Sequence, residues 1–348
     1  MHMADALLSP AVGLAMDAVA VAAVGVSAAK IKKDDLNEKK IPIMGIAGAL
    51  VFAGQMINFS IPATGSSGHI GGGILLSGLL GGFPAFLSIA AVLVIQCLFF
   101  ADGGLLALGC NIFNMGVVPC LILYPLLFRP LLKGGVTAKR LSVASVASAV
   151  IGLEIGAFCV VLETLFSGIT ELPFSTFAAL MLPIHLAIGL VEGLVTAAIL
   201  VFVHKMRPEI IGASLAGQKL AAAVPVRKVA VVLVALTLVG GGALSLAASG
   251  SPDGLEWAIG NAFNRDDPEA GLGQFEENAA LSSVAEGAAG VQENTAFLPG
   301  YAFASDGENP AGTAVSGIVG AAITFALACA AGLIISKVKR RKNAEASA

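Results

Sequence analysis

Apolar residues in this chain come in long blocks separated by short charged breaks. Blocks near 12–29, 42–60, 141–168, 180–204, 228–248 and 312–336 each approach the roughly 20 residues that a helix needs to cross hydrocarbon. The stretch 72–128 is apolar almost throughout. It is interrupted by Gly81-Gly82, Pro84, Asp102-Gly103-Gly104 and Pro119, so it holds either two long spans or three short ones. Charge decides between them. Lys and Arg collect on cytoplasmic loops at span ends, and here they fall at Lys30–Lys40, Arg129–Arg140, Lys205–Lys228 and Lys337–Lys342. With all four groups inside, residues 61–71 lie outside and an odd number of crossings must separate them from Arg129. Three spans satisfy this and two do not. The expected fold is an all-α, polytopic membrane helix bundle of nine transmembrane helices, N-terminus outside and C-terminus cytoplasmic, in the cell membrane.

The loops sharpen the picture. Residues 249–310 carry Asp253, Glu256, Asp266, Asp267, Glu269, Glu276 and Glu277 with Arg265 as the lone basic residue, and this acidic loop is expected outside. The short loop 169–179 carries Glu171 and no positive charge, and it also falls outside. The polar stretch between His204 and Lys228, with Pro208, Gly212, Gly217, Gln218 and Pro225, marks the expected boundary. Residues 1–207 then form a seven-helix bundle, 208–227 a cytoplasmic linker, and 228–348 a second unit of two helices joined by the acidic loop.

Composition agrees with a membrane protein. Hydrophobic residues make up 57% and charged residues 12% of 348, against roughly 45–50% and about 25% in soluble domains. The net charge of −3 and the lack of a basic patch argue against nucleic acid as a partner. Cys97, Cys110, Cys120, Cys159 and Cys329 lie in or near apolar segments without metal-type spacing and read as small hydrophobes packed among helices. No basic residue precedes the first apolar run, Lys30 being the first. A secretory leader would need one, so Met1 is expected to be the mature end.

That expectation gives His2 a special chemistry. A free amine at Met1, the His2 amide nitrogen and the His2 imidazole can wrap one cation and close a five-membered and a six-membered chelate ring. A second imidazole completes four nitrogens in a plane, a geometry that suits Ni(II) or Cu(II) and can accommodate low-spin Co(II). His69 is the natural fourth donor, because Gly65-Ser66-Ser67-Gly68 and Gly71-Gly72-Gly73 let its loop fold close to the terminus. Imidazole donors also predict affinity that falls in acid, around the ordinary His pKa of about 6.5.

Five more polar residues lie in or near apolar runs. His185 and Glu192 are two helical turns apart and share a face; an ionisable residue in a span is a functional candidate by default, and a hydrogen-bonded structural role is equally open. His204, beside Lys205, reads as interfacial. Asn111 and Asn114, three apart, read as links between helices or as support around a metal. The sequence contains neither a phosphate loop, nor a His-Glu-x-x-His zinc motif, nor a Gly-x-Ser-x-Gly elbow, so its motifs support no enzyme.

The opening Met1-His2-Met3-Ala4-Asp5-Ala6-Leu7-Leu8-Ser9-Pro10 resembles the start of the CbiM/NikM subunits, the substrate-specific components of energy-coupling-factor transporters for cobalt and nickel. The Ser67-Gly68-His69 loop, the Leu108–Gly116 segment and Pro183–Thr196 resemble that family too, and together they cover residues 1–205. Ser251-Pro252-Asp253-Gly254-Leu255-Glu256-Trp257 resembles the Pro-Asp-Gly-Leu-Glu segment of the small CbiN/NikN component, here fused to the first. Met3-Ala4 and Ala6-Leu7 depart from the family's Ile-Pro and Gly-Phe, which touches the path of the terminal segment and leaves the donor atoms in place.

The resemblance implies Met1, His2 and His69 as metal ligands, with Ser67, Asn111, Asn114, His185 and Glu192 as candidates around them. It implies Co(II) or Ni(II) as transported substrate, with no organic cofactor. As partners it implies a CbiQ/NikQ-like transmembrane coupling subunit and CbiO/NikO-like cytoplasmic ATPases, with ATP hydrolysis on those chains, in service of cobalamin biosynthesis or nickel enzymes. Two other classes remain open from sequence: an ion-gradient-driven secondary transporter of a divalent transition metal, and a non-transporting membrane scaffold or metal sensor. The first would bind near the bilayer midplane in related repeats, and this sequence shows no repeat.

Overall fold

The computed structural model describes residues 2–347 apart from 32–35, 37–38, 222, 279–280, 304–308 and 310. Among the described residues, seven helices are long and apolar enough to cross a membrane: Pro10–Lys30 (α1), Gly82–Phe100 (α4), Leu108–Leu131 (α5), Ala138–Ser167 (α6), Phe174–Met206 (α7), Arg227–Ala247 (α9) and the Ala311–Lys339 part of α13 (Ala311–Ser347). Between them lie Lys40–Gln55 (α2), Gly73–Leu80 (α3) and Pro208–Ala216 (α8). Pro10 opens α1 and the Ser9 hydroxyl accepts the Val12 N–H, a start favoured because Pro has no N–H to leave unpaired.

The helix α7 keeps its polar residues inside and turns apolar ones outward. On α7, His185, Glu192 and Thr196 are 1%, 2% and 2% exposed, whereas Leu186, Leu190 and Leu194 on the opposite face are 52%, 50% and 56% exposed. A water-soluble helix arranges these faces the other way round. In hydrocarbon the leucines face lipid, and the ionisable groups find partners within the protein.

Helix boundaries depart from expectation in two places. α2 stops at Gln55, and the chain enters a small antiparallel hairpin, Phe59–Ile61 (β1) with Ser66–Gly68 (β2), in the register Phe59↔Gly68. The stretch 72–128 does contain three helices, but α3 has only eight residues. Gly72 and Gly81 bound it with φ of +82° and +86°, a left-handed backbone that glycine adopts without strain. α5 is π-helical from Phe113 to Phe128 and contains Pro119 and Pro125. Proline removes helix donors and widens the turn.

The acidic segment expected as a loop is folded. It forms Gly254–Phe263 (α10), Pro268–Asn278 (α11) and Ser283–Thr295 (α12). Asp253 starts α10 with a reciprocal capping box: its side chain accepts the Leu255 and Glu256 N–H groups, and Glu256 accepts the Asp253 N–H. Asp253-x-x-Glu256 is the sequence signature of that cap. α10 then rests on α7, with Gly254 against His185 and Ile188.

The two ends of the bundle differ in charge. One end gathers Lys30, Lys40 and Arg129 around a hollow bounded by Gly81 and Ser214. The other gathers His2, His69, Asp102, Asp253 and Glu256 around a second hollow.

The second unit docks by close backbone approach. α9 crosses α13 at Gly241 and Gly317, where a methyl on Gly241 would come within 3.0 Å of the Gly317 backbone. Small residues permit such contact, which is how helices gain packing energy in lipid. Gly317→Val is expected to force the pair apart, costing about 1–3 kcal/mol of packing. A lower unfolding temperature in detergent checks this; an unchanged one would show that the crossing contributes nothing.

Candidate metal site

The N-terminal segment is held inside the bundle by its backbone. Met3 is fully buried. Its N–H donates to Asn111 Oδ1 at 2.8 Å, and Asn111 Nδ2 donates back to the Met3 carbonyl at 3.3 Å. The Gly104 N–H reaches the same carbonyl at 2.9 Å. Two residues on, Asp5 Oδ1 accepts the Ala107 N–H at 3.0 Å. Asn111 therefore fixes the main chain beside His2. Met1, the first expected ligand, lies outside the described residues.

A chain of amides orients the His2 ring. The Gly71 carbonyl can only accept, so the Gln55 Nε2 that lies 3.0 Å from it donates. Gln55 Oε1 then faces Gln96 Nε2 at 2.8 Å and accepts from it. That leaves Gln96 Oε1 facing His2 Nε2 at 3.3 Å, where Nε2 must carry the proton. By this logic the His2 Nδ1 holds a lone pair, the nitrogen that a six-membered chelate ring needs. Both glutamines are buried, at 3% and 0% exposure, so water does not compete for these positions.

His2 Nδ1 faces Asp102 Oδ1 at 3.3 Å, and the other Asp102 oxygen accepts from the Tyr301 hydroxyl. Burial raises the Tyr301 pKa well above its ordinary value, which keeps that hydroxyl a donor. A nitrogen lone pair and a carboxyl oxygen thus face each other, an arrangement that a cation between or beside them would relieve.

His69 stacks on His2 with ring centroids 5.3 Å apart and planes 24° from parallel. Its Nδ1 donates to the Ile70 carbonyl at 3.1 Å, which leaves the Nε2 lone pair free for a metal. The loop behind it is fastened by Glu192, whose two oxygens accept the Gly71 and Gly72 N–H groups, each at 2.9 Å. Ser67 is completely buried and ties the loop to the second unit: its N–H donates to the Pro252 carbonyl at 2.8 Å and its hydroxyl to the Ser251 carbonyl at 2.7 Å. Asp253 forms an isolated bridge with Ser67, so the two halves of the chain meet at the histidines.

Other expected residues go elsewhere. Asn114 donates to Glu163 Oε2 at 2.8 Å, and His185 Nδ1 donates to the Met181 carbonyl at 2.8 Å. Both lie deeper, lining a cavity that His69 also borders. Gln55, Gln96, Asp102, Asp253 and Tyr301 were not singled out from sequence as site residues. For Gln55 and Gln96 a signal existed, a polar side chain within an apolar span; Asp102 read as a break in the stretch 72–128, and Asp253 and Tyr301 lie in the acidic segment. Among the described residues, no three His, Cys, Asp or Glu side chains converge as a metal-binding group, so the two imidazoles need donors of another kind.

Burial lowers the His2 pKa, partly offset by Asp102. It lowers that of His69 from 6.5 to about 4. Both rings are therefore neutral near pH 7. The expectation that imidazole protonation near 6.5 governs acid release is corrected for His69, which takes up a proton only near its lowered value.

The bundle of apolar helices is that of a multi-pass membrane protein, and the two neutral imidazoles buried beside carboxylates are its candidate metal site. The chain belongs to the CbiM family, the cobalt uptake substrate-specific transmembrane region, which matches residues 2–210, and a PDGLE domain matches residues 227–337. It thus joins a CbiM/NikM part to a CbiN/NikN part. It is 32% identical over 339 residues to the putative fused nickel transport protein NikMN of Archaeoglobus fulgidus, covering 94% of this chain and 96% of that one. It is 29% identical to the cobalt transport protein CbiM of Sorangium cellulosum, over 49% of this chain and 76% of the relative. The crystal structure of a truncated transition metal transporter superposes with a TM-score of 0.52 at 29% identity, covering 59% of this chain and 99% of that structure. These relatives are transporters, and the chain is read as one in preference to an enzyme.

The His69 shift has a measurable consequence. An unfolded chain protonates this ring near 6.5 and the folded one only near 4, so the folded state binds fewer protons between those values. His69 thus adds nothing against stability above about pH 6.5 and lowers it progressively as pH falls toward 4. Thermal unfolding of metal-free protein across that window is expected to be less pH-dependent in His69→Asn than in the native chain. Equal slopes would show that the buried ring is not held neutral.

Proposed function

We propose that this chain is the substrate-binding permease subunit of an ATP-driven energy-coupling-factor transporter that imports Co(II) or Ni(II) across the cytoplasmic membrane. The observation that carries the proposal is the His2 ring, whose amide chain presents the Nδ1 lone pair beside Asp102 and the stacked His69. The ion is held by four nitrogens: the Met1 amine, the His2 amide nitrogen, His2 Nδ1 and His69 Nε2. The names of the relatives support a cobalt or nickel substrate.

In this reading the chain crosses the membrane nine times with its N-terminus outside, α2 and the stretch from the hairpin through the short α3 completing two of the crossings. The gathering of Lys30, Lys40 and Arg129 at one end supports that orientation, because positive charge stays cytoplasmic. Residues 1–207 form the metal-binding unit, 208–227 a cytoplasmic linker and 228–348 the fused second unit, whose Asp253 and Tyr301 border the mouth of the site. A CbiQ/NikQ-like coupling subunit and CbiO/NikO-like ATPases supply the energy, and the bundle reorients to release the ion inside. Because burial holds His69 neutral, protons compete first at the amine, with an ordinary pKa of about 8, and at the His2 amide, which must be deprotonated to bind.

Two measurements test this. Purified protein with a native terminus is expected to bind Co(II) or Ni(II) tightly, and a version with a few residues added before Met1 is expected to lose that binding. Equal binding by both would remove the terminus from the mechanism and favour a secondary transporter binding deeper in the bundle. Separately, Gln96→Leu breaks the amide chain while leaving every donor atom present. Loss of such orienting partners typically costs about 10–100-fold in metal affinity, and an unchanged titration would show that the His2 ring needs no such support.

A further inference from the structure

A second cavity, walled mostly by glycines and aliphatic side chains with a few polar groups among them, lies directly behind the outer pocket. The outer hollow and this inner one share His69 and Asp253 in their walls. The inner cavity has a volume of about 30 Å³, enough for an ion with one or two waters. It is enclosed by the start of α3 and by α5, α6, α7 and α10. Asn114 stands at the second residue of the π-helical run of α5, a distortion often found at functional sites.

The polar atoms facing this space are short of donors. His185 is 1% exposed, and its Nδ1 is committed to Met181, which leaves an Nε2 lone pair with no partner. Asn114 is 2% exposed, and its amide nitrogen is committed to Glu163, which leaves Oδ1 with no partner. The Ser148 hydroxyl, completely buried on α6, has no partner either. Glu192 adds a carboxyl group, and the cavity wall contains no Lys or Arg. Two unmet acceptors and a hydroxyl that can also present a lone pair, in a space without positive charge, suit a cation. An anion or an apolar ligand would leave both lone pairs unmet.

We infer that this inner cavity is a second, weaker binding site for the transported divalent ion, with His185 Nε2 and Asn114 Oδ1 as its protein donors and water completing the shell. An imidazole, an amide oxygen and waters form a nitrogen–oxygen set without thiolate, open to Ni(II) and Co(II). The ion reaches it past His69 once the outer nitrogen set lets go. The inference rests on the outer-site reading for the ion's origin, and its own donors are a separate set of residues.

The test uses full-length protein with its native terminus and Co(II) alone, counting bound ions by equilibrium dialysis. The native chain is expected to hold one Co(II) tightly and a second more weakly. His185→Phe and Asn114→Leu should each lose the second ion and keep the first, and the retained tight ion shows that the variant is folded. His2→Asn should do the reverse. In parallel, the native chain carrying 15N-labelled histidine has only four imidazoles to follow. The second equivalent of paramagnetic Co(II) should broaden the His185 resonance after the His2 and His69 resonances have responded to the first. The inference is overturned if the native chain saturates at one ion, if the second ion persists in both inner variants, or if the His185 resonance stays sharp. If His2→Asn leaves tight binding intact, the outer-site reading fails instead, and the His185-dependent ion is judged on its own variants.

Discussion

Glu192 holds the centre of this molecule together. From the middle of α7 its carboxyl group accepts both the Gly71 and the Gly72 N–H, two donors that a strand or helix would otherwise have satisfied. On the other side of the same residue, Gln55 donates to the Gly71 carbonyl. Gly71 is thus gripped between α2 and α7, and the loop carrying His69 is drawn into the bundle. In hydrocarbon an unpaired backbone group has no water to turn to, and each N–H left unsatisfied costs about 1–3 kcal/mol. The same grip supplies the fixed carbonyl from which the amide chain to His2 takes its direction. The positions of both histidines therefore depend on one buried carboxyl group.

The two halves of the chain complete each other at this point. The first half supplies the imidazoles, the glutamines and Asn111. The second supplies Asp253 beside Ser67, the Tyr301 hydroxyl on Asp102, and Gln292, whose side chain donates to the carbonyls of Cys97 and Gly103 and accepts the Leu105 N–H. The loop 101–107, which holds Met3 and Asp5 from below, is thereby held from above by α12. Trp257 adds a hydrogen bond to the Thr64 carbonyl in the hairpin. Fusion keeps these contacts at high effective concentration, so the cover over the site does not depend on the encounter of separate chains.

Much of this was legible in the sequence, for physical reasons that also explain the rest. Apolar blocks and the placement of Lys and Arg led to three spans within 72–128; three helices are found there, of which α4 and α5 are long enough to cross. That His2 and His69 come together was indicated by the flexible glycine-rich loop around His69, and their rings do stack. The short length of α3 was harder to see, since two glycines in an apolar run announce a break without saying how much helix lies between them. The amide chain was not legible at all. Gln55 and Gln96 belong to different helices, and sequence does not fix how each helix is rotated about its axis. Asn111 was read as a link between helices and instead fixes the backbone of Met3, a contact that periodicity cannot reveal because its partner is a main-chain group. The acidic segment 249–310 was read as a loop because its helices are short and only weakly apolar. The Asp253-x-x-Glu256 cap was the available sign that one of them begins there.

The site's preference for a cation follows from counting donors, beginning with a single carbonyl. Gly71 O accepts, so Gln55 donates to it; Gln55 Oε1 accepts from Gln96; and Gln96 Oε1 accepts from His2. One N–H of each amide in the chain points back toward the bundle, and the His2 Nδ1 lone pair is left beside Asp102. The Ile70 carbonyl consumes the single proton of His69 in the same way. The Tyr301 hydroxyl is directed at Asp102. An anion arriving here would meet acceptors on each of these groups, whereas a cation meets two imidazole lone pairs already desolvated and aligned. A metal ion that sheds water to enter loses hydration and gains neutral nitrogen donors that need no deprotonation of their own. In the proposed four-nitrogen site, selectivity between cations would pass to the geometry of the remaining nitrogens, because a donor set that closes in a plane excludes ions that require six oxygens.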